Sequence, residues 1–244
     1  MLQGLMLGIH GVMKRLAEPE ASNPALAEQR TTNRLGLANG KLAAFLLFLL
    51  SAFIFTPTFA AEPKDSAKFV KIANDGSVLQ DSAVLGAGAK DWACTRDSTT
   101  GLIWEVKTTS GLRSQNNTYT WFNSDTATKA SASAIGAPSG GTCSASGRCD
   151  TENFVSDVNS IGLCGARDWR MPKSKELETL ISAGLSSPSI NATYFPNTSS
   201  SYYWSGSSGA YYSFSAWAVA ANNGQAYYFH RTGSLGVRVV RNGQ

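Results

Sequence analysis

Histidine is scarce in this sequence, and its scarcity excludes several classes of enzyme. The 244 residues include two histidines, of which only His230 lies beyond the apolar segment near the amino terminus. A serine or cysteine nucleophile that needs a histidine base would have to use His230. Its neighbours Tyr228, Phe229 and Arg231 belong to no nucleophile motif. Glycine loops of the P-loop kind, which cradle phosphates, are absent as well.

Paired carboxylates could still supply an acid and a base. The acidic groups in question are Asp150, Glu152 and Asp157, and Glu176 and Glu178. Each of these residues stands where a helix cap or a solvated helix face explains it. We therefore predict no catalytic residue.

The sequence also lacks the cysteine spacing of a zinc site and a strong excess of either charge. It contains no CxxC pair, whereas a structural zinc site needs four closely placed ligands, mostly cysteine and histidine. We therefore predict neither a metal nor a cofactor. After Ala60, eight lysines and eight arginines stand against fourteen acidic residues, which leaves a net charge of +2. This balance excludes a broad nucleic-acid-binding surface but leaves room for a local basic patch.

An apolar segment near the amino terminus predicts export. Lys41 precedes fourteen apolar or small residues, and a Thr-Pro break and small residues follow them. This order is typical of a secretory signal, so we assign the signal and its cleavage region to residues 42–61, with cleavage after Ala60. The alternative is an uncleaved membrane anchor over the same twenty positions. Residues 1–41 are predicted to be a disordered extension or to follow a misplaced start site.

All four cysteines follow the signal, and an even number in an exported chain favours two disulfides. Cys143 and Cys149 bracket a five-residue loop rich in Ser and Gly. We predict that these two pair with each other, which leaves Cys94 to pair with Cys164. The competing zinc site has little support from the spacing. The chain is therefore predicted to be secreted, periplasmic or on the cell surface.

The exported part reads as one domain of loops and short strands. Gly, Ser, Thr, Asn and Tyr are frequent there, and strong helix formers are scarce. We assign residues 92–241 to the domain and residues 62–91 to a linker with room for a first strand. Residues 100–106 alternate with a period of two after a turn and predict a strand. Residues 108–150 predict a long polar excursion.

Two helices are predicted after this excursion. The first begins at Asp150 or Thr151 and ends at Gly162. The second begins with Ser174 as its cap and ends at Gly184. The predicted apolar faces are Phe154, Val158 and Ile161 in the first helix, and Leu177, Leu180 and Ile181 in the second.

The carboxyl-terminal third has the pattern of strands. The strand candidates are residues 202–205, 216–220, 225–231 and 237–240. Asn222, Asn223 and Gly224 predict a hairpin turn between the second and third, because Asn and Gly accept positive φ. Tyrosines occur in adjacent pairs, so one member of each pair should face the core and the other the solvent. These pairs are Tyr202 and Tyr203, Tyr211 and Tyr212, and Tyr227 and Tyr228.

The stretch GARDWRMPKSKEL at residues 165–177 combines dense charge with an aromatic ring. We interpret it as a corner of the fold. Trp169 would anchor it in the core, and Pro172 forces the preceding residue to be extended before the second helix. Arg170 is expected to be largely buried and bonded to a carboxylate or to backbone carbonyls. The residues left at its edges for contact with a ligand are Arg167 and Lys173.

Four segments together resemble the Lcl C-terminal domain, the globular head of bacterial collagen-like adhesins. They are CTRDSTTGLIWEVKT (94–108), GLCGARDWRMPKSKEL (162–177), YYWSGSS (202–208) and GVRVVR (236–241). Parts of the second and fourth are also similar to sulfatase-modifying-factor domains. The resemblance covers about residues 92–241. It implies an α+β, C-type-lectin-like fold with two helices against an irregular antiparallel sheet, long loops and disulfides.

The resemblance implies an adhesin-like, non-catalytic domain that binds glycans, anionic ones such as sulfated polysaccharides above all, at a cell or matrix surface. The sequence has no Gly-X-Y stretch, so the trimer that a collagen-like stalk would enforce is not implied. A homo-oligomer is expected, but its number of subunits is not assigned. The sequence also lacks a calcium-binding triplet of the lectin type. The alternatives are an enzyme related to sulfatase modification or glycan processing, although no cysteine follows Cys164, and a structural envelope module without its own ligand.

Arginines and exposed aromatic rings are the side chains most suited to such a ligand, because guanidinium groups bind sulfate or carboxylate and rings stack on sugars. Arg231, Arg238 and Arg241 alternate along the last two predicted strands and could form one patch. The ligand-binding candidates are Arg231, Arg238, Arg241, Tyr211, Tyr212, His230, Arg167 and Lys173. The residues expected to hold the fold are Trp104, Trp169, Arg170, Pro172 and Trp204.

Overall fold

The structure is a computed structural model that describes residues 68–125, 135–209 and 213–243. The predicted extension and signal segment lie outside the described residues, and so do Tyr211 and Tyr212. Within the described ranges, no helix is long and apolar enough to cross a membrane.

The described part is a mixed α+β fold, as the sequence predicts. Its elements in chain order are β1 (Phe69–Ala73), β2 (Trp92–Asp97), β3 (Leu102–Glu105), α1 (Thr151–Ile161), α2 (Ser174–Glu178), β4 (Tyr202–Ser208), β5 (Ser215–Ala220), β6 (Ala226–His230) and β7 (Val240–Asn242). They form two antiparallel sheets, with the orders β1-β2-β3-β7 and β4-β5-β6. The single irregular sheet implied by the resemblance is therefore divided in two.

The first sheet joins the beginning and the end of the described chain. Strand β1 lies inside the predicted linker and pairs with β2, so the folded unit begins before residue 92. Strand β7 pairs with β3 on the other side. The alternation in β3 suggests one solvent-facing side, but all four residues of the strand are buried. Both faces of this sheet are covered, and Glu105 and Lys107 are buried with the apolar residues.

The second sheet contains the predicted hairpin. Strands β5 and β6 pair from Ser215 and His230 to Val219 and Ala226, on either side of the Asn-Asn-Gly turn. The last strand differs from the prediction, because β7 begins at Val240 instead of residue 237. Backbone bridges from Val240 to Arg170 and to Trp104 fix it there, and such partners cannot be read from a local pattern.

Helix α1 has the predicted bounds. The Asp150 side chain accepts a hydrogen bond from the Asn153 amide, and Gly162 ends the helix with φ of 65°, a value that suits glycine. Phe154 and Val158 are buried, but Ile161 is 58% exposed. The prediction for Ile161 was wrong because this residue occupies the last turn, beyond the part of the helix that packs on the core.

Helix α2 is shorter than predicted. It begins at Ser174 and ends at Glu178, and the residue at the cap position is Lys173 and not Ser174, so the predicted cap was wrong by one residue. The Glu176 carboxylate accepts a hydrogen bond from the Lys173 amide at 2.7 Å, which satisfies a free donor of the helix start. After Glu178 the bonds from Leu180 and Ile181 reach back three residues instead of four, so the chain tightens and leaves the helix.

Both predicted disulfides are present. Cys94 on β2 joins Cys164 after α1, across 70 residues, and Cys143 joins Cys149 across six. Structural disulfides form and persist in oxidising compartments. The fold is therefore that of an extracytoplasmic domain.

Candidate functional site

The three candidate arginines do not form a surface patch. Arg231, Arg238 and Arg241 expose only 2%, 1% and 8% of their surface. Arg231 lies 3.9 Å from the centre of the Trp121 ring, and its Nε donates a hydrogen bond to the Ser215 carbonyl at 3.1 Å. Burial lowers the pKa of Arg231. The prediction of a surface patch is wrong, because these side chains are buried in the interior of the protein.

The other two arginines tie distant segments together. Arg238 Nη1 donates to the Glu105 carbonyl and Nη2 donates to Thr198 Oγ1, both at 2.8 Å. Arg241 donates hydrogen bonds to the Asp168 carboxylate from Nε at 2.6 Å and from Nη2 at 3.3 Å. The hydrogen bond from Arg241 lowers the pKa of Asp168. Both arginines are therefore structural.

The GARDWRMPKSKEL stretch is a corner of the fold, as its pattern indicates. Arg167 is exposed, but its Nη1 donates to the carbonyls of Asn159 and Ser160 at 2.8 and 2.7 Å. A cation at this place suits the end of helix α1. Trp169 is buried and its Nε1 donates to the Leu163 carbonyl at 3.0 Å. Pro172 is buried in the same corner.

Arg170 agrees with its prediction in bonding but not in burial. Its two Nη atoms donate to the two carboxylate oxygens of Glu176, both at 2.8 Å. This pair lowers the pKa of Glu176. Its side chain is nevertheless 38% exposed, because it borders an open cleft.

The remaining candidates divide by exposure. Lys173 is exposed at the start of α2 and His230 is exposed at the end of β6. Tyr203 is buried while its neighbour Tyr202 is only half-buried, as the pairing rule predicts. Tyr227 and Tyr228 are both exposed, contrary to that rule. The rule fails here because β6 is the edge strand of a small sheet.

Two pairs of aromatic rings in contact with each other form a partly exposed strip on and beside strands β5 and β6, which we call the aromatic surface. It consists of Phe214, Trp217, Tyr228 and His230. The Trp217 and Tyr228 rings lie 3.7 Å apart between centres, and those of Phe214 and His230 lie 5.3 Å apart. Phe214 is 47% exposed and Tyr228 is 38% exposed. Contiguous exposed apolar patches often mark interaction sites.

A second candidate is a cleft of about 330 Å³ beside the Arg170 corner, which we call the cleft. Its apolar lining comes from Trp121, Phe122, Val155 and Met171, and its charged lining from Glu152 and Arg170. Asn123, Thr151 and Gly206 complete it. At Gly206 a Cβ atom would lie 3.1 Å from the Met171 Cβ, so glycine allows strand β4 to approach this corner closely.

The sequence pattern contained a signal for the aromatic surface that the predictions did not use. Trp217 stands between Ala216 and Ala218 in β5, and both alanines are fully buried. Small residues at alternate positions indicate that this face of the strand packs closely, so Trp217 must face the other way. The cleft had no comparable local signal, because four separate segments line it.

Acidic residues are dispersed over the described surface. In residues 68–125, 135–209 and 213–243, no three His, Cys, Asp or Glu side chains come together in a group that could hold a metal ion. Several carboxylates are instead engaged in helix caps and ion pairs, such as Asp157 with Arg148 and Glu178 with Lys175.

In the comparison with protein families, one family model covers most of the described chain. A family model described as the Lcl C-terminal domain matches residues 93–241, which span both sheets except β1 and the final residues, both helices and both disulfides. No curated protein and no solved structure matches the chain.

Proposed function

This chain belongs to the Lcl C-terminal domain family, and from that premise we propose that it is an exported binding domain that recognises glycans. The observation that carries the proposal is the aromatic surface. The rings of Trp217, which is half-buried, and Tyr228, which is 38% exposed, carry flat apolar faces with polar edges. The apolar faces of pyranose rings are complementary to such a surface.

The proposal favours binding over catalysis because the carboxylates have structural duties. Asp150 caps α1, Asp157 pairs with Arg148, and Glu176 pairs with Arg170. An acid or base catalyst needs a pKa near the working pH. The pKa of Glu176 is instead lowered by its hydrogen bond to Arg170.

Stacking, and not a basic patch, is the proposed source of affinity. The buried arginines cannot meet a sulfate at the surface, and the four residues of the aromatic surface include no lysine or arginine. Binding through stacked rings depends little on salt, in contrast to binding through exposed charges. We therefore propose that neutral glycans bind at least as well as sulfated ones.

We also propose an adhesin-like role at a cell or matrix surface and a C-type-lectin-like fold. Two disulfides support an exported domain. The fold assignment is supported by a first and a last strand that share one sheet and by long disulfide-stapled loops. The apolar segment at residues 42–61 would direct export.

A glycan array and a heparin column test this function. We expect binding to neutral or sulfated glycans, with an affinity at least tenfold lower, or about 1.4 kcal/mol, in Trp217→Ala and in Tyr228→Ala. Leu185→Ala is the matched control, because Leu185 is also exposed, at 44%, but lies outside the aromatic surface. Thermal unfolding checks that the variants fold. A blank array together with no retention on heparin at low salt would overturn the proposal.

A further inference from the structure

The charged groups that line the cleft are not equivalent. Arg170 donates through Nη1 to Glu176 and to the Met171 carbonyl, and through Nη2 to Glu176 and to Asn242. These four bonds occupy the guanidinium N–H donors that would otherwise bind a carboxylate or sulfate. The charge of Arg170 is also balanced by Glu176. The cleft is therefore poorly suited to a sulfate or carboxylate.

Glu152, in contrast, keeps an unbalanced negative charge. Its two carboxylate oxygens accept hydrogen bonds from the Ser124 amide and the Ser124 hydroxyl, which are both neutral donors. Among the ion pairs of the described residues, none includes Glu152. A carboxylate has about four acceptor positions, so Glu152 retains capacity for a charged donor.

The rest of the lining suits a compact, partly apolar ligand that carries a cation. Phe122 and Met171 are half-buried at the cleft, and the buried Trp121 also lines it, with its Nε1 donating to the Ser205 carbonyl at 2.9 Å. Aromatic rings attract ammonium groups as well as sugar faces. A volume of about 330 Å³ lies at the small end of ligand sites, which favours a single ring over an oligomer.

We infer that the cleft binds a protonated amino sugar, with its ammonium group on the Glu152 carboxylate and its ring against Phe122. This inference rests on the proposed function, because it names the class of sugar that a glycan-binding chain would take. It concerns a different site, since the residues of the aromatic surface and those of the cleft do not overlap. N-acetylation of the amine removes the charge and is expected to remove the preference.

Nuclear magnetic resonance titration of the tryptophan indole groups tests the inference on the full chain. The probe is glucosamine, and N-acetylglucosamine is its uncharged counterpart. We expect glucosamine to shift the Trp121 indole signal with an affinity at least fivefold higher than that of N-acetylglucosamine. The Trp217 signal reports on the aromatic surface and separates the two sites.

The matched variants are Glu152→Gln and Glu178→Gln. The first keeps the size and an acceptor for Ser124 but removes the charge, and we expect it to abolish the preference for glucosamine. The second removes a carboxylate on α2 that pairs with Lys175, and we expect it to change nothing. Retained thermal stability shows that Glu152→Gln is folded.

Several outcomes would overturn the inference. These are equal shifts with both sugars, an unchanged preference in Glu152→Gln, and shifts confined to Trp217. Lysine amide that binds as tightly as glucosamine would also overturn it, because the sugar ring would then contribute nothing. None of these results affects glycan binding by Trp217 and Tyr228, so the failure of this inference and the failure of the proposed function can be told apart.

Discussion

A cluster of buried charges lies beside strand β3 of the first sheet. Glu105 and Lys107 lie 2.9 Å apart in an ion pair, and the Val239 amide donates to the same carboxylate at 3.2 Å. Burial lowers the pKa of Lys107 to about 8, although Glu105 opposes that shift. Arg113 and Arg238 are also close enough to act on Lys107 and lower its pKa further. The cluster is costly to bury unless each charge has its partner.

Lys107 makes stability depend on pH in the alkaline range. Its pKa is about 8 in the folded protein against 10.5 for a free lysine, so the unfolded chain holds one more proton between those values. The free energy of unfolding should therefore rise from about pH 8 to about pH 10, and Lys107 should contribute no pH dependence below that window. Urea unfolding at several pH values measures the rise.

The control for Lys107 is the double variant Lys107→Met with Glu105→Leu, which removes both charges together. We expect its free energy of unfolding to lack the rise between about pH 8 and about pH 10. The comparison is confined to this window because tyrosines titrate near pH 10, and burial raises the pKa of Tyr119 in the folded protein. Equal slopes in the two proteins would contradict the assignment.

The sequence could not predict which arginines are buried. Arg238 bonds Glu105 across 133 positions and Arg241 bonds Asp168 across 73. An arginine on a strand reads as a surface residue unless such a partner is known. The burial of Trp169 was predictable, because a large apolar ring in a polar segment is favourable only in the core.

At the scale of helices and strands, the local sequence pattern predicted an element correctly where the stabilising contacts lie within a few residues of it. The Asn-Asn-Gly hairpin and helix α1 follow the sequence pattern, since turn and cap residues lie beside what they stabilise. The end of α2 and the start of β7 did not follow it. The start of β7 depends on a distant segment through the bridge between Arg170 and Val240, and α2 ends where its hydrogen bonds shorten to three residues.

The start of helix α1 depends strongly on Asp150. This buried carboxylate accepts hydrogen bonds from the amide and the side chain of Asn153 at 2.8 and 2.7 Å, and from the Ser139 amide at 2.9 Å. Replacing Asp150 with Ala should lower the free energy of unfolding by about 2 kcal/mol, because a cap is lost and buried donors lose their acceptor. Chemical denaturation measures this.

Glu152→Gln is the matched control for the cap, since Glu152 also lies in the first turn of α1 but is not its cap. We expect a change below about 1 kcal/mol for it. Asp150→Ala should also move Thr120, whose backbone bridges Asp150, and with it the neighbouring Trp121 at the cleft. A loss in Asp150→Ala no larger than in the control would show that the cap is dispensable.

At the scale of the whole molecule, the cleft and the disulfides show what sequence reasoning can reach. The paired cysteines were predictable because an even number in an exported chain leaves few pairings, and one pair encloses a short loop. The cleft was not, because its walls at Phe122, Val155, Arg170 and Gly206 meet only after the sheets and α1 have packed. Distances of this kind belong to the tertiary fold.

The two disulfides should contribute unequally to stability. A cross-link restricts the unfolded chain more when it closes a longer loop, and the loops here span 70 and six residues. Replacing Cys94 and Cys164 with Ala should cost about 4 kcal/mol, against about 2 kcal/mol for Cys143 and Cys149. Denaturant unfolding of both double variants provides the comparison. Because Cys94 also anchors β2 to the segment after α1, an equal or smaller loss for the long loop would mean that packing alone holds the two together.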